Sequence, residues 1–377
     1  MVLSIQIKDQ MNLLPAKTYR WLNVNHLKMN ETIDKEIKAY NKKYVKEVKD
    51  ENIIIGRINN VVSFNQYMSN IKDDKIEYGI SKRMVQMAEH MNNAGIFANV
   101  RKGATIKEPI IIEYRMDQDN DVVIDNNIII AEEKSRATFI IDYSTTEDVN
   151  AFHNGALKVY AREGAYIKVI KIQRMNDSSL HLDSNVAIVE KDGNVDFIQV
   201  EFGSRKSVTN YMSNLKDGSQ SNIETIYLAD KEREMDLSYY MNHMGRRSIS
   251  NMEVKGALKD RAKKVFKGTI DFKLGSSKSK GREEESVILF DKDVKSDAVP
   301  ILLCTEDDVN GQHAASAGRV DEDKLFYMMS RGFSREEAMQ LIVEASFNPI
   351  IDKIPLEDMR SIIREEIHNR LVMEGNQ

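Results

Sequence analysis

The sequence predicts a mainly β chain, a β-solenoid set between an N-terminal helical or mixed region and a C-terminal helical region. Three observations carry this. From about Ile96 to Val299, short runs rich in Ile, Val, Phe and Tyr alternate with polar residues, among them Ile110-Ile111-Ile112, Phe139-Ile140-Ile141 and Phe197-Ile198-Gln199-Val200. No proline falls between Pro109 and Pro300, and no segment there has the period of a long helix. A loose repeat of strand, charged turn and strand reads IIIAEEKSRATFII at 128–141, LKVYAREGAYIKVI at 157–170 and VAIVEKDGNVDFIQV at 186–200. Its turn residues Arg136, Gly164, Gly193 and Gly218 are spaced 28, 29 and 25 apart, which suits a solenoid better than a sandwich, the remaining alternative.

Taken in order, the chain divides at 1–95, 96–318 and 319–377. In the first part Ile33, Ile37, Tyr40, Tyr44 and Val48 recur at three and four, predicting an amphipathic helix over Glu31–Lys49. A second helix is expected over Ser81–His90, released near Gly95. After Pro300 helices return. Asp321 caps DKLFYMMS, which stops at Gly332, and Ser334 with Glu337 forms a capping box for the next helix. Pro355 pre-sets the first turn of a last helix with Leu356, Met359, Ile363, Ile367 and Leu371 on one stripe. These amphipathic helices are expected to cap the solenoid, dock a partner or pack on their own domain.

Composition removes several functions. The chain has 54 Lys+Arg against 59 Asp+Glu, so it lacks the strong positive charge of a protein that coats nucleic acid. One cysteine in 377 residues excludes an internal disulfide framework and a self-contained Cys-ligated cluster. The closest glycines, Gly275 and Gly281, are six apart, and no Gly-Lys dipeptide occurs. That removes the GxG dinucleotide fingerprint, the GxSxG elbow and the P-loop. The nearest two of the seven histidines are 28 residues apart, so any metal site must be assembled across the fold or across subunits. With no membrane-length apolar run and no secretory leader pattern, a soluble, cytoplasmic chain is expected.

The densest reactive cluster is 300–323, PILLCTEDDVNGQHAASAGRVDED. Cys304 follows an apolar run and reads as a small buried hydrophobe on a strand. His313 stands among Gly311, Ala314 and Ala315, which leave room around an imidazole. The segment 275–286, GSSKSKGREEES, reads as a solvated polar turn, and His243 as a residue of a surface strand. Glu306, Asp307 and Asp308 could serve a β-helix carbohydrate-active enzyme, but adjacent carboxylates suit a turn better than two groups flanking a glycosidic bond.

Residues 296–338, SDAVPILLCTEDDVNGQHAASAGRVDEDKLFYMMSRGFSREEA, resemble the signature of the SufB/SufD family of iron–sulfur cluster assembly proteins. The matching residues are Asp307-Asp308, His313, Ala314-Ala315, Asp321-Glu322, Leu325-Phe326-Tyr327 and Ser330-Arg331-Gly332. Segments 242–272, 99–114 and 14–25 are similar to the family as well. The resemblance implies a right-handed parallel β-helix between helical ends and a non-catalytic scaffold. It also implies pairing through the β-helix with a SufB-like chain or itself. A SufC-type ATPase would be held on the C-terminal helices, with sulfur arriving indirectly from a cysteine desulfurase or its carrier. ATP would then bind the partner, consistent with the missing P-loop here. No cysteine precedes Val287-Ile288-Leu289-Phe290, where the SufB type carries one, so the chain is similar to the SufD branch. The resemblance makes His313 a candidate ligand for a transient iron–sulfur cluster, although Gly311 replaces the cysteine many SufD chains place there. It brackets the ATPase dock to Leu325, Phe326, Tyr327, Arg331, Gly332, Leu341 and Ile342. A purely structural partner of the ATPase, without a ligand role, is the alternative.

Overall fold

Strands of mostly eight to ten residues, joined by short turns, coil this chain into two facing sheets that are parallel apart from one antiparallel edge strand, Ile53–Arg57. A computed structural model describes residues 3–18, 22–58, 76–146 and 149–373. The first sheet has nine strands in the order β18 (Lys295–Cys304), β16 (Lys263–Phe272), β14 (Glu234–His243), β12 (Lys206–Leu215), β10 (Leu180–Val189), β8 (Phe152–Ala161), β6 (Val122–Ala131), β4 (Ile96–Val100) and β3 (Ile53–Arg57). The second has eight, in the order β19 (Asn310–Arg319), β17 (Lys280–Leu289), β15 (Ile249–Leu258), β13 (Gln220–Ala229), β11 (Asn194–Glu201), β9 (Tyr166–Arg174), β7 (Arg136–Thr145) and β5 (Ile110–Met116). Strands run from β4 (Ile96–Val100) to β19 (Asn310–Arg319), and successive coils pair in parallel register, a solenoid of about eight turns. The sandwich alternative is thereby removed, because neighbours within each sheet, the edge strand Ile53–Arg57 apart, are two strands apart in sequence and parallel.

Inward positions fill a single lumen with Ile, Val, Phe and Tyr, including Phe139, Phe197, Phe266 and Phe272. In the middle coils the turns at one corner each hold one residue in the left-handed region: Lys134, Gly164, Asp192 and Gly218. Two of the expected anchors, Arg136 and Gly193, therefore stand two and one residues past that position, since Lys134 and Asp192 take the turn without glycine. Each left-handed residue donates its amide to the next turn, Lys134 to Glu163 O at 3.0 Å and Gly164 to Lys191 O at 3.0 Å. The turns thus stack as a backbone ladder with the same rise as the sheets.

The expected helix over Glu31–Lys49 does not form. β2 (Leu27–Lys35) instead pairs antiparallel with β1 (Leu3–Met11). Met29 and Ile33 alternate toward one face of that hairpin, and period two prevails over the three-and-four spacing. Tyr40 and Tyr44 are buried in extended chain, their rings 6.1 and 5.1 Å from Tyr114 near the first coil. The expected helix at Ser81–His90 is present as α1 (Lys82–His90), its N-cap Ser81 accepting from the Met84 amide. Hairpin and α1 together cover the outer face of the first sheet through Ile7, Met11, Met84, Ala88, Phe152 and Leu182.

At the other end Asp321 caps α2 (Glu322–Ser330), and Ser334 with Glu337 completes the capping box of α3 (Arg335–Ile351). Pro355 falls just before the N-cap Leu356 of α4 (Glu357–His368), outside the helix. Helices α3 and α4 do not close the solenoid end. Their apolar faces, with Val343, Phe347, Ile350, Ile363 and Ile367, lie on the outer face of the second sheet against Ile170, Ile172, Ile198 and Val200. No helix among the described residues is long and apolar enough to cross a membrane.

Candidate functional site

Because α3 and α4 run along the side wall, nothing among the described residues stacks on the last coil. β18 (Lys295–Cys304) keeps an outer face covered by Val24 on Val299 and Ile301, whereas β19 is exposed along nearly its whole length. His313 sits on β19 as the register partner of Glu283 on β17 (Lys280–Leu289). Glu283 is a buried lumen residue, and in-register partners share a face, so His313 projects at the lumen mouth. Cys304 ends β18 and is exposed, not a buried hydrophobe, because no further coil covers it; its thiol donates to Glu306 O.

The segment expected as a solvated turn is the floor of this mouth. Glu283 and Glu285 point inward from β17, while Arg282 and Glu284 face solvent. Glu285 accepts from Lys264 Nζ at 2.5 Å and from Tyr227 Oη at 3.2 Å. Burial pushes the Glu283 carboxyl up to about 8, with the Glu285 charge adding to it, and pushes Lys264 down. Nothing in EEE distinguishes this run from a surface turn except its parity with the strands before it.

Deeper in the lumen lies a polar spine that sequence reasoning passed over. His153 Nε2 stands 2.5 Å from Asp125 Oδ1, and Tyr143 Oη donates to Asp125 Oδ2 at 3.1 Å. The His153 and His181 Nδ1 atoms are 2.8 Å apart, and His181 Nε2 faces Glu201 Oε1 at 4.0 Å. Lys171 binds both oxygens of Asp183, at 2.8 and 2.6 Å, and Asn185 Oδ1 at 3.0 Å. Burial holds His181 well below its ordinary range, with His153 and Lys171 adding to it, and pushes Glu201 up to about 8, with Asp183 adding to that. His243, expected on a surface strand, is also interior: it stacks on Phe272 and bonds Ser248 and Ser250. Burial lowers it to about 4. The signal that could have located these groups is spacing, since His153 and His181 differ by the length of one coil. No group of three or more His, Cys, Asp or Glu side chains among the described residues is arranged to hold a metal ion.

The expected docking residues separate into two sets. Phe326 is 74% exposed, and Tyr327, Met329, Phe333 and Leu341 are exposed as well. Arg331 lies over the Tyr327 ring at 5.2 Å and donates to its hydroxyl at 2.9 Å, and Gly332 ends α2 with a φ of +99°. Leu325, by contrast, is fully buried and anchors α2 to the wall, and Ile342 is half-buried in the same cluster. Neither presents a free surface, because their helix positions face the second sheet. Of the upstream segment 14–25, residues 19–21 lie outside the described residues.

The family described as SUF system FeS cluster assembly, SufBD core domain, matches residues 114–346. The chain is 26% identical over 282 residues to the iron-sulfur cluster assembly protein SufD of Bacillus subtilis, covering 74% of this chain and 64% of that one. It is 24% identical over 284 residues to SufB of the same organism, covering 74% and 61%. A SufBD family protein of Staphylococcus epidermidis is 24% identical over 290 residues, with the same coverages. The matches thus span less than two thirds of these relatives' own length.

Proposed function

The chain belongs to the SufBD core family of the SUF iron–sulfur cluster assembly system, and on that premise we propose that it is a scaffold subunit of an assembly complex. Residues 96–318 would pair end to end with a SufB-like chain or a second copy, and residues 319–377 would hold a SufC-type ATPase. His313 would lend a nitrogen ligand to iron cargo at the junction. The observation that carries this reading is the uncovered last coil, a solenoid end with an exposed edge strand and a histidine at its mouth. An open sheet edge presents unpaired backbone groups to a further strand. The exposed rings of Phe326, Tyr327 and Phe333, on and just after α2, support the ATPase dock, since large exposed apolar groups close together mark interaction sites.

A neutral imidazole suits iron, and a single nitrogen ligand binds weakly enough to release a nascent cluster. One histidine cannot hold a cluster, so thiolates must come from the partner. A purely structural role is the second reading, favoured by Gly311 where a cysteine could stand and by the lack of a three-ligand group among the described residues.

The test is an anaerobic pull-down of the full-length chain with a SufC-type ATPase and a SufB-like chain. Removing residues after Val320 would strip the wall that covers Ile170 and Val200, so point variants are the better probe. Wild type should retain both partners and Phe326→Asp should lose the ATPase alone. Retention of neither partner by the wild type overturns the scaffold reading.

A further inference from the structure

Glu283 lies one strand below His313 on the lumen side, with about 4.8 Å between their backbones. Its carboxyl group reaches across the lumen and lies on the backbone of Gly268, on the opposite wall, where any Cβ would collide with it. Pro300 continues that wall one coil on, as the register partner of Gly268. The carboxyl therefore forms a floor between the two walls, directly under the mouth where the imidazole stands.

The residue is 2% exposed, yet its Oε2 has no hydrogen-bond partner. Glu285, two positions along the same strand, has both Lys264 and Tyr227. A buried acceptor left without a donor is costly. Here the unmet oxygen and an exposed imidazole share one face of one ladder, at the only lumen end that no helix or strand covers among the described residues.

The geometry points to a half-site for a divalent first-row metal ion, built from the Glu283 carboxylate and the His313 imidazole. In the assembly proposed above, iron(II) is the cargo that would occupy it. An oxygen and nitrogen pair suits iron(II), cobalt(II) or zinc, whereas soft thiolates select copper(I) or complete clusters. The remaining coordination positions are left to water and to ligands of a chain stacked on the last coil. Cys304 is not part of the half-site, because it ends β18 at the coil corner with its thiol turned to Glu306 O. This inference rests on the reading of His313 as a ligand and adds a second ligand from the same chain.

The experiment is a cobalt(II) titration of the metal-free, full-length chain, followed by visible absorption and calorimetry. Wild type should bind one ion with d–d bands and no sulfur-to-metal charge transfer. Glu283→Gln should weaken binding by at least about tenfold, the scale at which even supporting groups of metal sites act, and His313→Ala should abolish it. Glu306→Gln, on the exposed turn, should bind as wild type. If Glu283→Gln folds poorly by circular dichroism, Glu283→Asp, which draws the carboxylate back, must show the loss. Wild-type binding in Glu283→Gln together with loss in His313→Ala overturns the half-site and leaves the His313 reading standing. Wild-type binding in both variants, or no binding by the wild type, overturns the half-site outright. Loss of ATPase capture with cobalt binding intact would instead overturn the scaffold reading.

Discussion

The Nδ1 atoms of His153 and His181 stand 2.8 Å apart, and their rings stack at 4.6 Å between centroids, although one coil of chain separates them. His153 Nε2 faces the Asp125 carboxylate and so carries a hydrogen. With His181 neutral, its Nδ1–H can donate to His153, which turns its bare Nε2 toward Glu201 at 4.0 Å. Removing one member leaves its partner buried and unpaired. We expect His153→Leu to lower the unfolding free energy by about 3–5 kcal/mol. Denaturant unfolding at neutral pH measures this, and a loss below 1 kcal/mol would show that the pair is not coupled.

Two lumen groups impose opposite pH dependences. Glu201 is raised from 4.5 to about 8, so the folded chain keeps a proton that the unfolded chain releases. Its contribution is fully present below pH about 4.5 and is lost as pH rises through about 8. Glu201→Gln removes that loss. The variant should gain on wild type between pH 5 and 8.5 by on the order of 3 kcal/mol, at about 1.4 kcal/mol per pKa unit.

His181 is lowered, so its contribution is present above pH 6.5 and is lost as pH falls below it. The wild-type unfolding midpoint should therefore drop on acidification from pH 7 to 5 more steeply than that of His181→Gln. Parallel profiles would count against a neutral buried imidazole.

Gly256 on β15 (Ile249–Leu258) lies against the Tyr227 ring, with no space for a methyl group. Gly256→Ala must push the ring off its place beside Glu285. A loss of about 3 kcal/mol in unfolding free energy is expected, at the upper end of overpacking costs. Calorimetry against Gly318→Ala, where nothing crowds an added Cβ, supplies the control.

At the solenoid mouth, His313→Ala should leave the circular dichroism spectrum and both partner contacts unchanged, since the side chain is exposed. Iron retained by the reconstituted complex should fall roughly tenfold. Unchanged iron content would favour the purely structural role.

The sequence by itself determined the solenoid, because parity and repeat length are local. Ten-residue alternation and units near 28 residues leave parallel stacking as the economical way to bury every strand. The capping residues Asp321 and Ser334 likewise act within a few positions of themselves. What the tertiary structure decided is everything that depends on which coil lies above which. Only stacking turns EEE into one solvent-facing carboxylate between two buried ones, and brings His153 onto His181. It also lays α3 and α4 on the side wall, so that the coil carrying His313 stays open. Tyr40 and Tyr44 show the limit from the other side. Their helical spacing was outweighed by ring packing on Tyr114, which lies 74 and 70 residues further along the chain.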